Sequence, residues 1–191
     1  MAVSVRVEGS GFQRFADAAK DLANDKAALA YMRALNHTGA KANTRVRRAL
    51  KSQTGLASLA LVDKLGALRK IKAGKSRLSY EISGTGRHIP LHWFKAAQFG
   101  YGVRASPWGK VQRFPGTFIF AGNPRSGKYV SGGAVFHRVT TASLPIEKLY
   151  GPAIPKEMVK DQTADAFNTV AGDLPDRIAH EVKRLTGGAV S

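Results

Sequence analysis

The hydrophobic spacing of this chain predicts an α+β fold, and three observations carry that reading. Apolar and small residues recur alternately four and three positions apart at Ala28, Met32, Leu35, Gly39, Ala42, Val46 and Ala49, the stripe of one long amphipathic helix. From Leu78 the period changes to two, and short apolar runs follow one another between Gly and Pro turns, the pattern of a mostly antiparallel sheet. A helical face then returns at Phe167, Ala171, Leu174, Ile178, Val182 and Leu185. The 191 residues make one domain: a strand and helical arm over 1–55, a β-rich body over 56–154 and a C-terminal helix over 155–191.

The elements follow in chain order. Val3, Val5 and Val7 alternate with polar neighbours, so Ala2 to Val7 reads as a half-buried strand. Phe12 to Leu22 reads as a first amphipathic helix and Asp25 to Ser52 as the long one, closed by Gly55 as a C-terminal cap. Its small seam residues suit close packing. LASLALVDKLGAL has room for a short helix. SRLSYEISG places Leu78, Tyr80 and Ile82 on one face of a strand, and PLHWF, GVRAS, KVQRF, TFIFAG and AVFHRV supply further strand-like runs. LPIEKLYGPAIP, with Pro145, Pro152 and Pro155, reads as a rigid connector. The last helix begins near Lys156, keeps its face in phase across Pro175, and is expected to kink or break at Gly172-Asp173 before ending at Gly187-Gly188.

Charge narrows the function. Lys and Arg number 30 against 13 Asp and Glu, a formal net charge of +17 that exceeds what solubility asks for. It implies an acidic partner: nucleic acid, anionic lipid or an acidic protein surface. There is no cysteine, hence no disulfide framework or thiolate chemistry. No stretch approaches the roughly 20 apolar residues of a membrane span. The expected setting is a cytoplasm, or a particle assembled in one.

Between Glu81 and Glu147 there is no carboxylate, while Arg87, Lys95, Arg104, Lys110, Arg113, Arg125, Lys128 and Arg138 and three histidines occupy the interval. This bears on GNPRSGKYV, Gly122 to Val130, which approaches a phosphate-binding loop. That signature needs a Ser or Thr after the lysine to ligate Mg²⁺, a helix opening there, and an acidic residue for the metal. Tyr129 stands at the hydroxyl position, Ser131-Gly132-Gly133 break a helix, and the acid is missing. A Gly/Pro/Ser surface loop is the better reading. His88 and His92 have the spacing that grips zinc on a helix, but Pro90 lies between them and no further ligand is near. No nucleophile elbow appears, and Asp161 and Asp165 fit a solvated helix face. The chain is expected to be no enzyme, with no cofactor and no metal.

Two basic features remain. HWFKAAQFGYGVRASPWGKVQRF sets Trp93, Phe94, Phe99, Tyr101, Trp108 and Phe114 among four cations. Such a belt suits single-stranded nucleic acid, or a core with cations pointing outward, or a protein interface. On the long helix, Lys41, Arg45, Arg47, Arg48 and Lys51 lie opposite the seam with no acid between them. DNA-backbone contact or docking on an acidic ring would each explain this.

RALNHTGAKANTRVRRAL, GRHIPLHWF, GVRASPWGKVQRFPGTFIFAG and LPIEKLYGPAIP, in this order and spacing, resemble the successive blocks of the prophage minor tail protein Z family. Ile89 to Leu91, Trp108 to Lys110 with Pro115 to Ile119, and Leu144 to Pro152 are the most specific, and the resemblance covers about Tyr31 to Ile154. It implies a non-enzymatic tail-completion or neck protein at the head-proximal end of a phage tail, assembled in the bacterial cytoplasm and located in the virion. It implies as partners further copies in a ring, six to match the tail tube, together with tail-terminator or tail-tube and head-connector proteins. Genomic DNA in the channel would be touched non-specifically, and no membrane is involved. The basic helix residues become candidate partner- or DNA-facing groups. Trp93, Arg104, Trp108, Lys110, Arg113, Arg125 and Lys128 become the candidate assembly surface. The alternatives are a basic non-enzymatic DNA-binding module and, disfavoured by the missing acids, a small nuclease.

Overall fold

The computed structural model describes residues 2–6, 24–66, 68–120 and 133–185. The expected helix at Phe12 to Leu22, the loop GNPRSGKYV with Arg125 and Lys128, and the stop at Gly187-Gly188 lie outside them. Strand β1 (Ala2–Arg6) is followed by helices α1 (Asn24–Thr54) and α2 (Leu59–Gly66), then by strands β2 (Arg69–Ile71), β3 (Glu81–Thr85), β4 (Ala97–Phe99), β5 (Gly102–Ala105), β6 (Gln112–Pro115), β7 (Thr117–Phe120), β8 (Ala134–Arg138) and β9 (Ile146–Lys148). The chain closes with a short helical turn, α3 (Ile154–Glu157), and helices α4 (Asp161–Ala171) and α5 (Leu174–Leu185). The α+β reading holds.

Helix α1 has 31 residues, about 46 Å at 1.5 Å per residue. Its buried stripe is Ala27, Tyr31, Ala34, Leu35, Thr38, Ala42, Val46 and Leu50. The seam read from the sequence matches it in the middle, at Leu35, Gly39, Ala42 and Val46, while Ala28, Met32 and Ala49 are only half-buried. A strict 3.5-residue spacing falls about 20° behind a straight helix in every seven residues. The burial therefore slides to Ala27 and Tyr31 at one end and to Leu50 at the other. What fills the seam is the chain's own C-terminus. Helices α4 and α5 run back antiparallel along α1: Gln53 meets Thr163 at one end and Lys41 meets Asp173 further along. Two apolar clusters result. Val46 and Leu50 join Tyr80, Ile82, Phe94, Val103, Val135 and Val170 in the larger, and Tyr31 and Leu35 join Leu174 and Ile178 in the smaller.

Gly55 takes φ of +78° and its N–H donates to Lys51 O at 3.1 Å, the expected left-handed cap. The C-terminal helix breaks where expected: Gly172 and Asp173 form the turn, and Pro175 falls in the first turn of α5, where a missing N–H costs nothing.

Every strand pairing is antiparallel, in three sheets ordered β1-β3-β2, β4-β5-β6 and β7-β8-β9. Two expectations change. PLHWF is not a strand: Pro90 brings no N–H to a ladder, and Trp93 N and Phe94 N donate to Pro90 O and Leu91 O at 3.2 and 3.1 Å, closing a 3₁₀ turn. LPIEKLYGPAIP is more than a connector, because Ile146–Lys148 adds an edge strand to β8. Those two segments also meet each other. Ile89 N donates to Pro152 O at 3.0 Å, Gly151 N to Ile89 O at 2.7 Å, and Leu91 N to Leu149 O at 3.0 Å.

Candidate assembly interface

Period two places alternate residues of a strand on one face. In β5, Val103 and Ala105 are buried and Arg104 is exposed. The register sets Arg104 opposite Ala97 on β4 and Arg113 on β6, so Phe99, two residues beyond Ala97, shares their face. Here the rings and cations interlock. The Arg104 guanidinium lies 4.6 Å over the Phe99 ring, Phe99 and Tyr101 stack at 5.5 Å and 9°, and Arg113 lies 5.4 Å from the Tyr101 ring. Phe99 and Tyr101 remain 37 % and 40 % exposed. Like charges directly opposite each other across a ladder cost up to about 1 kcal/mol. Two exposed cation–π contacts return roughly 0.5–1 kcal/mol each, so the array holds together instead of splaying. The result is a preformed row, Arg104–Phe99–Tyr101–Arg113, with no carboxylate paired to it among the described residues.

The neighbouring sheet repeats the device. Arg138 lies 4.7 Å over Phe118, which faces Phe136 across the ladder with ring centroids 6.1 Å apart. The sheets are tied where Gln98 Oε1 accepts from Ile119 N at 2.8 Å and Thr117 Oγ1 accepts from Val103 N at 3.1 Å.

The other belt residues divide. Trp93 is half-buried beside the core, with its ring against His92 at 5.1 Å. Burial, and then the charge of Lys148, holds the His92 pKa below its ordinary value. Trp108 is 43 % exposed in a left-handed backbone conformation at φ +55°. Its Nε1–H donates at 3.2 Å to Glu157 Oε1, so this ring ties the belt to α3. Glu157 Oε2 also accepts from Gln53 Nε2 at 2.8 Å. Lys110 is exposed.

The cations of α1 divide too. Lys41 Nζ donates to Asp173 Oδ2 at 2.5 Å, and that bond and charge, with a smaller contribution from Arg45, hold the Asp173 carboxyl below its ordinary pKa. Arg47 forks onto Asp63: Nε donates to Oδ1 at 2.8 Å and Nη2 to Oδ2. Arg45, Arg48 and Lys51 are exposed and have no carboxylate bonded to them among the described residues. Arg48 and Lys51 border a shallow depression of about 510 Å³ with Ser52 and Leu59. The structure thus separates two helix cations that lock the fold from three that face outward.

Sequence reasoning singled out Arg104 and Arg113 but not that they share a face with Phe99 and Tyr101. The two-residue spacing of those rings was the available signal. Arg138 over Phe118 depends on a cross-strand register that a single sequence does not display. Among the described residues no group of three His, Asp or Glu side chains is placed to hold a metal ion, and no helix is long and apolar enough to cross a membrane. The chain matches no family model, no curated protein and no solved structure.

Proposed function

We propose that this chain is a non-enzymatic structural subunit of a phage neck, a tail-completion protein that packs as a closed ring between tail tube and head connector. The observation that carries the reading is the preformed Arg104–Phe99–Tyr101–Arg113 row. Aromatic rings and arginines are the residue types enriched at protein interfaces, and two opposed guanidiniums with no carboxylate bonded to them among the described residues suit acidic groups on a partner. The outward stripe of Arg45, Arg48 and Lys51 supplies a second cationic surface, on a helix braced by α4 and α5. The step from an acid-seeking assembly subunit to a phage neck rests on the sequence blocks that resemble the minor tail protein Z family. A head-to-tail contact that closes gives a ring, and six copies would match a six-fold tube.

A second reading is favoured by the outward stripe alone: a DNA-binding module gripping phosphates without base readout. One experiment separates the two. A phage lacking the gene is complemented with wild type, with Arg104→Ala/Arg113→Ala, or with Arg45→Glu/Arg48→Glu/Lys51→Glu. The neck reading expects both variants to fold and both to leave filled heads and finished tails unjoined. Full infectivity from the Arg104/Arg113 variant sinks it. Tight, salt-sensitive duplex binding by wild type, lost only in the helix variant, moves the assignment to the DNA module.

A further inference from the structure

A further basic site shares no residue with either of these surfaces. The backbone pairing of Ile89 to Leu91 with Leu149 to Pro152 brings together side chains from two stretches of chain, 86–88 and 150–156. They border an open depression of about 460 Å³ lined by Gly86, Arg87, His88, Tyr150, Ala153, Pro155 and Lys156, its charged groups exposed. His88 Nδ1 lies 3.1 Å from Gly151 O, which can only accept, so Nδ1 carries a proton and Nε2 is the nitrogen open to a second partner. Lys156 Nζ donates to that Nε2 at 3.3 Å. No carboxylate is bonded to Arg87, His88 or Lys156 among the described residues. An ammonium resting on an imidazole, in a depression that a guanidinium also lines, is a donor set that lacks its anion.

We propose that this pocket receives a phosphate monoester whose ester group is a nucleoside. Charge count selects phosphate over carboxylate. Arg87 and Lys156 are two permanent cations, a phosphate monoester carries about −1.5 to −2 at neutral pH, and a carboxylate would leave one cation uncompensated. Arg matches phosphate with its planar fork and Lys with a point charge. Shape selects the rest of the ligand. The volume lies within the range of small-molecule sites and exceeds what the phosphate itself fills. The remaining walls are the Tyr150 ring, Ala153 and Pro155, apolar surfaces on which a base can lie. Lys148, 5.8 Å from the Tyr150 ring, adds a cation beside that platform. Internal phosphates of a strand are diesters with a single charge, so the source is either a free nucleotide or the 5′-phosphorylated end of a strand.

The test uses the full chain labelled at histidine, with His88 as reporter in NMR titrations. The probes are inorganic phosphate, adenosine monophosphate, an acetylated tetraglutamate peptide, and a short single-stranded oligonucleotide bearing 5′-phosphate or 5′-hydroxyl. Phosphate and adenosine monophosphate should shift His88 saturably, the nucleotide at lower concentration. Loss of a charged hydrogen-bond donor should weaken both about tenfold or more in Lys156→Ala. Lys70→Ala, which removes an exposed cation on β2, should leave them unchanged. Binding of the 5′-phosphate oligonucleotide but not the 5′-hydroxyl one supports the strand end as source. Binding of the mononucleotide but neither oligonucleotide supports the free nucleotide. An unmoved His88 at millimolar phosphate overturns the proposal. So does equal weakening by Lys156→Ala and Lys70→Ala, and so does a peptide that binds as tightly as the nucleotide. Thermal melts of each variant distinguish lost binding from lost fold.

Discussion

Gly39→Ala sets two effects of opposite sign against each other, and the structure decides between them. Gly39 sits in the middle of α1, where alanine is favoured over glycine by about 0.8–1.0 kcal/mol on helix propensity alone. If only local chemistry mattered, the substitution would stabilise the protein. But a Cβ built on Gly39 lands on the Tyr80 ring, less than 3.0 Å from Cγ, Cδ1 and Cδ2, closer than real Cβ atoms come to anything. Tyr80 is 1 % exposed. It belongs to the larger buried core together with Ile82 and Val46, so its ring has nowhere cheap to go.

Overpacking a filled core costs about 1–3 kcal/mol. The ring here must move as a rigid plane, which argues for the upper part of that range. Subtracting the propensity gain leaves a net loss of about 1–2 kcal/mol, and at about 2–4 °C per kcal/mol for a chain of this size the melting temperature should fall by roughly 2–8 °C. Gly39→Leu should fall further. The control is a double-mutant cycle with Tyr80→Ala. In that background the methyl group has space, so Gly39→Ala should turn neutral or stabilising, with a coupling of about 1–3 kcal/mol. Circular-dichroism melts of the four proteins suffice. A Gly39→Ala single variant that melts higher than wild type would falsify the packing of Tyr80 on α1.

Two further outcomes follow from the polar ties. Gln53 accepts from Thr163 N and Oγ1 at 3.1 and 2.8 Å and donates to Glu157 O and Oε2 at 3.1 and 2.8 Å. Gln53→Ala should therefore cost about 1–3 kcal/mol by stranding partly buried groups, and an unchanged urea midpoint would contradict this. For Asp173 the folded pKa is lowered, so its contribution to stability is present above the ordinary aspartate value near 3.8 and is lost as pH falls through the lowered one. Lys41→Met should move the Asp173 carboxyl titration, followed by ¹³C NMR, back up towards the ordinary value, and no movement would show that the bond does not persist in solution.

What could be read from the sequence was whatever depends on neighbours along the chain. The α1 stripe, the Gly55 cap and the break before Pro175 are set by spacing and by residues with one strong backbone preference. The strand at Glu81–Thr85 was visible because Tyr80 and Ile82 alternate with polar residues. Long-range partners were not visible. Tyr80 as the lid on Gly39 and Trp108 donating to Glu157 each join residues more than 40 positions apart, and the prolines around β9 hide its pairing with β8; nothing local announces any of them. The outward and locking cations of α1 look alike in sequence. Only the positions of Asp63 and Asp173 tell them apart.

That distinction extends to the whole charge balance. Asp63 binds Arg47, Glu81 binds Arg77, Asp173 binds Lys41, Glu181 binds Arg177, and Glu157 holds Trp108 and Gln53. Asp63, Asp173 and Glu157 therefore serve as ties between elements, while Glu81 and Glu181 hold arginines four residues away in sequence. Among the cations left over, Arg48 and Lys51 on α1 and Arg104 and Arg113 on the row face outward with no carboxylate bonded to them among the described residues, and Arg45 adds only a weaker charge contact with Asp173. These surfaces hold part of the +17 surplus, the rest of which is spread over other exposed lysines and arginines such as Lys70, Lys95 and Lys110. The two populations also differ in how salt reaches them. Close or partly buried pairs are screened little, whereas exposed charges waiting for a distant acidic surface are screened beyond about 8–10 Å at ordinary ionic strength. Salt should therefore release whatever this surface binds well before it loosens the fold.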